Sequence, residues 1–337
     1  MLKIISKIIS AALVIFGIGL FLYPQITEVY VRYNTTKYMD AFNDKFYDPT
    51  DNEKQTDDNT NQDGYEYKNP KTYLPGLYKE IKKYNKQLFD TDQSDFVDAF
   101  SYEDVTVDIS GLEDGVFGYI EIPKMDLKMP LYLGANYSNM NLGAAVLGNT
   151  SIPIGGKNTN SVVAGHRGWA RAAYFLYIED LAIGDHVFIT NPWEKLAYKV
   201  TDIVIIDPYD TDALKIRPGK DMITLLTCHP YLSHGKYRYL VFCERDPGYT
   251  INQEKSELNS ENNGRAKSPA DVGYITSSDG TVYESSAYII NNENKMRMYA
   301  GGIILFMVTI TTVINIIINN RKNKHRHSTL KRRVKNG

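Results

Sequence analysis

"TLLTCHPYLSHGKYRYLVFCER", residues 224–245, holds both cysteines of the chain, two of its six histidines and, at Arg238, an arginine inside an apolar run. Two short runs rich in β-branched and aromatic residues flank a polar turn across residues 229–236, so the stretch reads as a pair of strands. Side chains alternate along a strand. Arg238, Leu240 and Phe242 therefore share one face, and Tyr237, Tyr239, Val241 and Cys243 share the other. Cys243 points away from whatever Arg238 serves and is expected to be a small buried hydrophobe, not a disulfide partner of Cys228.

Upstream, the same texture begins at Gly115. FGYIEIP, LKMPLYLG, GAAVLGNTS, NSVVAGH, HVFITN and LAYKVTDIVIID precede MITLLTC and YRYLVFC, separated by turn residues. Short strands in this number, with one long crossover, predict a closed and mainly β barrel. The stretch AAYFLYIEDL after Trp169 has a helical reading, as do residues 74–90 around Leu74, Leu77, Ile81, Tyr84 and Leu88. Residues 51–63 contain no apolar side chain and read as flexible.

Two apolar runs bracket this domain. Ile8–Tyr23 carries no charge and follows Lys3 and Lys7, and Tyr299–Ile318 is interrupted only by Gly, Thr and Asn315. Each approaches the roughly 20 residues that span a bilayer as a helix. No small-residue cleavage pattern follows the first run, so it is expected to be a retained anchor. Residues 320–337 contain eight Lys or Arg and no acid. By the positive-inside rule that tail is cytoplasmic; two spans then put the N-terminus there too, with everything between them outside. The formal net charge of −2 gives no case for nucleic acid as a partner.

Several chemistries can be weighed. GAAVLGNTS has two glycines five apart, but where a phosphate loop needs Lys and then Ser or Thr it has Asn149 and Thr150, and without the lysine no charge holds a γ-phosphate. A zinc site drawn from Cys228, His229, His234 and Cys243 matches no recurrent ligand spacing. Thiol catalysis needs a nucleophile, a group that moves its proton and donors for the oxyanion. Cys228 ends an apolar strand beside a loop, where a thiol is both positioned and reachable. His166 ends SVVAGH in the same way; His234 in the polar turn is the fallback, and His186 after a Gly-Asp turn reads as a surface residue. Arg238 supplies a permanent cation on the strand after Cys228. Its competing reading is an ordinary salt bridge on a sheet face.

Taken together, TLLTC, Arg238 in the following strand and AGHRGWARAAYFLYIEDLAIGDHVFI resemble the sortases, cysteine transpeptidases of Gram-positive cell surfaces, over about residues 74–245. The two flanking spans make class C, the pilin-polymerising enzymes, the nearest likeness. That resemblance implies a sortase-type, closed eight-stranded β-barrel with short helices, an N-terminal helical lid segment and two flanking transmembrane helices. It implies catalysis by His166, Cys228 and Arg238, with Thr227 a weaker candidate for substrate or oxyanion contact, and a lid carrying Asp98 and Phe100. The family lid motif is Asp-Pro-aromatic; Ala99 replaces the proline here, which removes its fixed φ. His234 stands where class C members commonly place Asn.

The expected organisation is an anchor over 1–26, an extracellular stem over 27–73, a helical segment and lid over 74–114, and the barrel over 115–247. A polar linker over 248–297, a transmembrane helix over 298–319 and a basic tail over 320–337 follow. Expected partners are surface or pilin proteins bearing a Leu-Pro-x-Thr-Gly-like sorting signal, an amine acceptor (a pilin lysine or a peptidoglycan precursor) and membrane lipid. No cofactor and no metal are expected. A non-catalytic sorting-signal binder and a hydrolase using water as acceptor are the alternatives.

Overall fold

The computed structural model describes residues 35–46, 74–94, 96, 105–109, 111–112, 115–169, 172–233, 235–259, 266–277 and 279–335, with scattered helical positions between 11 and 33. Eight strands close into a barrel: β1 (Val116–Ile122), β2 (Leu127–Leu133), β3 (Ala144–Val146), β4 (Thr159–Ala164), β7 (His186–Thr190), β8 (Lys195–Ile206), β9 (Asp221–His229) and β10 (Tyr237–Arg245). Around the barrel they run β1-β2-β3-β4-β9-β10-β8-β7. The β2–β3 and β4–β9 pairs are parallel, the geometry that requires crossover connections rather than tight hairpins.

Closure depends on β1 meeting β7. A register shift lies between Val116 and Gly118 in the β1–β2 ladder, and a bulge of this kind bends and twists a strand. Gly118 sits where the carbonyl of Thr190 comes so near that an added Cβ would lie 1.9 Å from it. Only glycine permits that approach.

Outside the barrel, β5 (Arg167–Trp169) pairs with β6 (Ala172–Tyr174), and a 3-10 turn covers Ile178–Asp180. The helix expected in AAYFLYIEDL is thus replaced by a strand and a single tight turn. Pairing with β5 takes up Ala172–Tyr174, and Tyr174 then adopts φ 45°, which a helix cannot continue through.

Helix α1 (Pro75–Asp90) matches the periodicity read from the sequence, and its inward face carries Ile81 and Asn85. Asn85 exchanges both amide hydrogen bonds with the backbone of Ile152, at 2.9 and 2.8 Å. A shorter helix, α2 (Tyr137–Leu142), precedes β3. Part of the segment expected to be a stem is packed instead: residues 35–46 are helical, and Met39, Phe42 and Phe46 join the barrel's apolar core.

The polar stretch after the barrel also has a built structure. It contains α3 (Ile251–Asn259), α4 (Pro269–Val272), the hairpin β11 (Tyr274–Thr276) with β12 (Val282–Glu284), and the start of α5 (Ala287–Lys335). Two of its apolar side chains, Ile251 and Ile275, are buried, and hydroxyls add further anchors; Ser277 donates to the carbonyl of Ile205 in β8 at 2.9 Å. Composition alone reads such a segment as a linker because its anchors are serines. Among the described residues, one helical stretch, Ala287–Ile318, is long and apolar enough to cross a membrane. Most of the first apolar run lies outside the described residues.

Candidate active site

The site grows from three adjacent strands, β4, β9 and β10. Cys228 and Arg238 are direct partners in the antiparallel ladder, so their side chains leave the same face side by side. In the parallel ladder Ala164 is level with Leu226, and the Gly165 amide donates to the Leu226 carbonyl at 3.0 Å, one residue past the end of β4. Continuing that register by two residues brings His166 level with Cys228. A thiol, an imidazole and a guanidinium are therefore gathered at one rim by strand pairing.

Each is held from behind. The Phe175 amide donates to the His166 carbonyl at 2.9 Å, and the Tyr174 ring meets the imidazole edge-on at 6.0 Å between centroids. Partial burial lowers the His166 pKa from its ordinary 6.5, favouring the neutral ring. Arg238 is buried, and its Nη1 donates to the carbonyls of Gly235 at 2.8 Å and Tyr237 at 3.0 Å. Cys228 is half-buried, with a free thiol. Thr227 faces the other way, and its hydroxyl donates to the Gly165 carbonyl at 2.6 Å. That proton is committed to the loop bearing His166, so the residue's position suits holding the loop rather than contacting an oxyanion. Cys243 is fully buried and unpaired with Cys228, and burial pushes its thiol pKa far up.

Sequence reasoning passed over two parts of this region, one at the rim and one behind it. Gly235 has φ 84°, and a Cβ there would lie 2.7 Å from Arg238 Nη1 and 3.3 Å from Cys228 Sγ. The turn can close over the pair only as glycine. A glycine in a polar turn is too common a signal to have marked it.

Glu179 is the second. It is fully buried, its Oε1 accepts from Arg167 Nη2 at 2.5 Å and lies 3.3 Å from His229 Nδ1, and its Oε2 accepts from Ser285 Oγ at 2.5 Å. Burial opposes its charge, but the His229 ring, the Arg167 cation and the Ser285 hydroxyl outweigh it and hold the pKa down at about 2. Removing one member of such a buried ion pair costs about 3–5 kcal/mol. Its partners lie 12, 50 and 106 residues away in sequence, so no local pattern could reveal it.

His186, read as a surface residue, is also buried: Nδ1 is 2.9 Å from Glu254 Oε2, Nε2 is 2.9 Å from Asp246 Oδ2, and the ring stacks on Tyr249 at 3.6 Å. It fastens α3 to the barrel. Asp98, Phe100 and His234 lie outside the described residues. Among the described residues no cluster of three or more His, Cys, Asp or Glu side chains is placed to hold a metal ion.

A closed barrel with thiol, imidazole and guanidinium on neighbouring strand ends defines a candidate cysteine-dependent site. Residues 120–246 match the sortase domain family, and the chain belongs to that family. It is 35% identical to sortase A of Staphylococcus aureus over 120 residues, which cover 34% of this chain and 56% of that protein. Among solved structures it is similar to sortase C from Clostridium perfringens SM101, at 38% identity and TM-score 0.43, covering 51% of this chain and 88% of that one. A Clostridium perfringens sortase C with the C-terminal cell wall sorting motif is 32% identical, at TM-score 0.47, covering 64% of this chain and 98% of that one. The chain spans between 47% and 63% of the length of the first curated relatives it matches.

Proposed function

We propose that the protein is a membrane-anchored cysteine transpeptidase of class C type, which cleaves a Leu-Pro-x-Thr-Gly-like sorting signal and transfers it to an amine. The observation that carries this reading is the direct pairing of Cys228 with Arg238, on a strand whose other neighbour, β4, ends two residues before His166. Cys228 Sγ attacks the Thr–Gly carbonyl carbon while His166 takes up the thiol proton. The guanidinium of Arg238 lies beside the sulfur and donates to the oxygen that becomes negative. Collapse of the intermediate breaks the C–N bond, and His166 returns the proton to the departing amine. A thioester on Cys228 remains. An incoming amine attacks it, His166 accepts that amine's proton, and an amide forms as the thiol is released.

The acceptor we favour is a lysine amine on a pilin subunit; a peptidoglycan-precursor amine would use the same steps. The apolar stretch Ala287–Ile318 followed by a basic tail supports anchoring with the tail in the cytoplasm and the barrel outside. A second anchor at the N-terminus and a lid bearing Asp98 and Phe100 belong to the same proposal.

The test incubates the full chain in detergent micelles with a Leu-Pro-x-Thr-Gly peptide, with and without an added amine, and identifies the products by mass. Transfer to the amine, absent in His166→Ala, is the expected result. Release of the free acid alone, indifferent to amine, would mean hydrolysis. Binding without cleavage would contradict the enzyme reading.

A further inference from the structure

The residues immediately after the two reacting groups, Arg167 after His166 and His229 after Cys228, turn to the reverse side and meet at one carboxylate, Glu179. Alternation explains why: where one side chain faces the rim, its neighbour faces away. Both neighbours are buried, and among the described residues Arg167 Nε and Nη1 have no hydrogen-bond partner, so Glu179 is the anion that balances this guanidinium.

The carboxylate is completed from the far end of the chain. Ser285 donates to Glu179 Oε2, and so does the backbone amide of Ala287, the first residue of α5, at 3.2 Å. Next to them, Ser286 Oγ accepts from the amide of Tyr231, in the loop that follows Cys228 and His229. Tyr283 of β12 meets the rings of His229 and Tyr237 edge-on, at 6.3 and 5.2 Å.

We infer that Glu179 is a positioning residue for both His166 and Cys228, and that residues 285–287, at the head of the membrane-length helix, complete it. The inference rests on the transpeptidase reading for what the two groups do. Its geometry concerns only how they are held. One carboxylate sits against the side chain just beyond each reacting group, bonded to Arg167 and 3.3 Å from His229 Nδ1, so losing it lets the thiol and imidazole drift relative to each other. Small displacements of reacting groups are costly in rate. Residues 285–287 accordingly belong to the apparatus that positions the reacting groups, although they lie about 40 residues beyond the last barrel strand.

The test uses the full chain in micelles and two readouts. One is the rate at which iodoacetamide alkylates Cys228, located by peptide mapping, which needs no substrate. The other is kcat and KM for sorting-signal cleavage. Ser285→Ala removes one donor far from the rim, and should slow alkylation and lower kcat by about threefold or more with KM within about twofold. Ser285→Thr, which keeps the hydroxyl, should restore both. Glu179→Gln should cost about tenfold or more on the same readouts. Ser277→Ala loosens the same hairpin without touching Glu179 and should leave both rates unchanged. Wild-type rates in folded Ser285→Ala and Glu179→Gln would overturn the inference, as would equal slowing by Ser277→Ala. Should Glu179→Gln not fold, the Ser285 pair decides alone. If wild type cleaves no signal peptide while the alkylation pattern holds, the transpeptidase reading fails and the positioning role stands.

Discussion

The two thiols sit at opposite ends of one strand pair, and the structure treats them as different chemical groups. Cys228 lies one residue before the end of β9 at the barrel rim, half-buried, opposite Arg238 and under the turn at Gly235. Cys243 lies near the other end of β10, paired with Ile223, fully enclosed, with its pKa driven upward by burial alone. Residue type is identical. What differs is the end of the ladder each occupies and the charge its partner brings. A cysteine becomes a candidate nucleophile through access and a cationic neighbour, and an inert apolar side chain without them.

The widest test of that contrast is to remove each sulfur in turn. Cys228→Ala should lower acyl transfer by about three orders of magnitude or more. Cys243→Ala should leave transfer within about twofold and cost about 1 kcal/mol of stability through the small void it leaves, read from denaturant melts. Equal losses from both would erase the distinction. Next in size, Arg238→Lys keeps a positive charge but not the planar fork held by Gly235 and Tyr237. Loss of an oxyanion donor commonly costs about 10²–10³ in kcat, and a fall in that range with little change in KM is expected from steady-state kinetics.

Gly235→Ala should follow, at about tenfold in rate, since a side chain at φ 84° is strained and its Cβ presses on Arg238. A melting temperature within a few degrees of wild type would show that the loss is local to the rim.

The last effects come with pH. Because burial lowers the His166 pKa, its neutral form persists to below pH 6.5, and the acidic limb of kcat/KM should fall below that value. Glu179 has the opposite chemistry but the same direction of loss. Its pKa is lower folded, at about 2, than the ordinary 4.5, so its contribution is complete above pH 4.5 and disappears as pH falls from 4.5 through 2. That contribution is on the order of 3 kcal/mol, and Glu179→Gln should flatten the decline in acid melts.

Much of the barrel was legible along the chain. MITLLTC and YRYLVFC became β9 and β10 with the faces that alternation assigns, and the six runs before them each hold a barrel strand. Strands announce themselves because hydrophobic period and turn residues are local signals. His166, Cys228 and Arg238 were singled out because each stands at or near a strand end, although only the ladders show that the three strands are neighbours. The segment after the barrel was illegible for a different reason. Ser277, Ser285 and Ser286 fix it through single hydroxyls, and a serine that is buried in the fold looks like any serine in a solvated linker. His186 and Glu179 were hidden likewise, since the carboxylates and cations that bury them come from 12 to 68 residues away. The helix read into AAYFLYIEDL failed where strand pairing with β5 overrode local periodicity.

The most direct measurement is the intact mass of the full chain after brief incubation with a Leu-Pro-x-Thr-Gly peptide and quenching in acid, followed by mapping of the modified peptide. If Cys228 is the nucleophile, an acyl adduct of the Leu-Pro-x-Thr fragment appears on Cys228, is absent from Cys243, and discharges when an amine is added. An adduct on another residue, or amine-dependent transfer that persists in Cys228→Ala, would contradict the assignment.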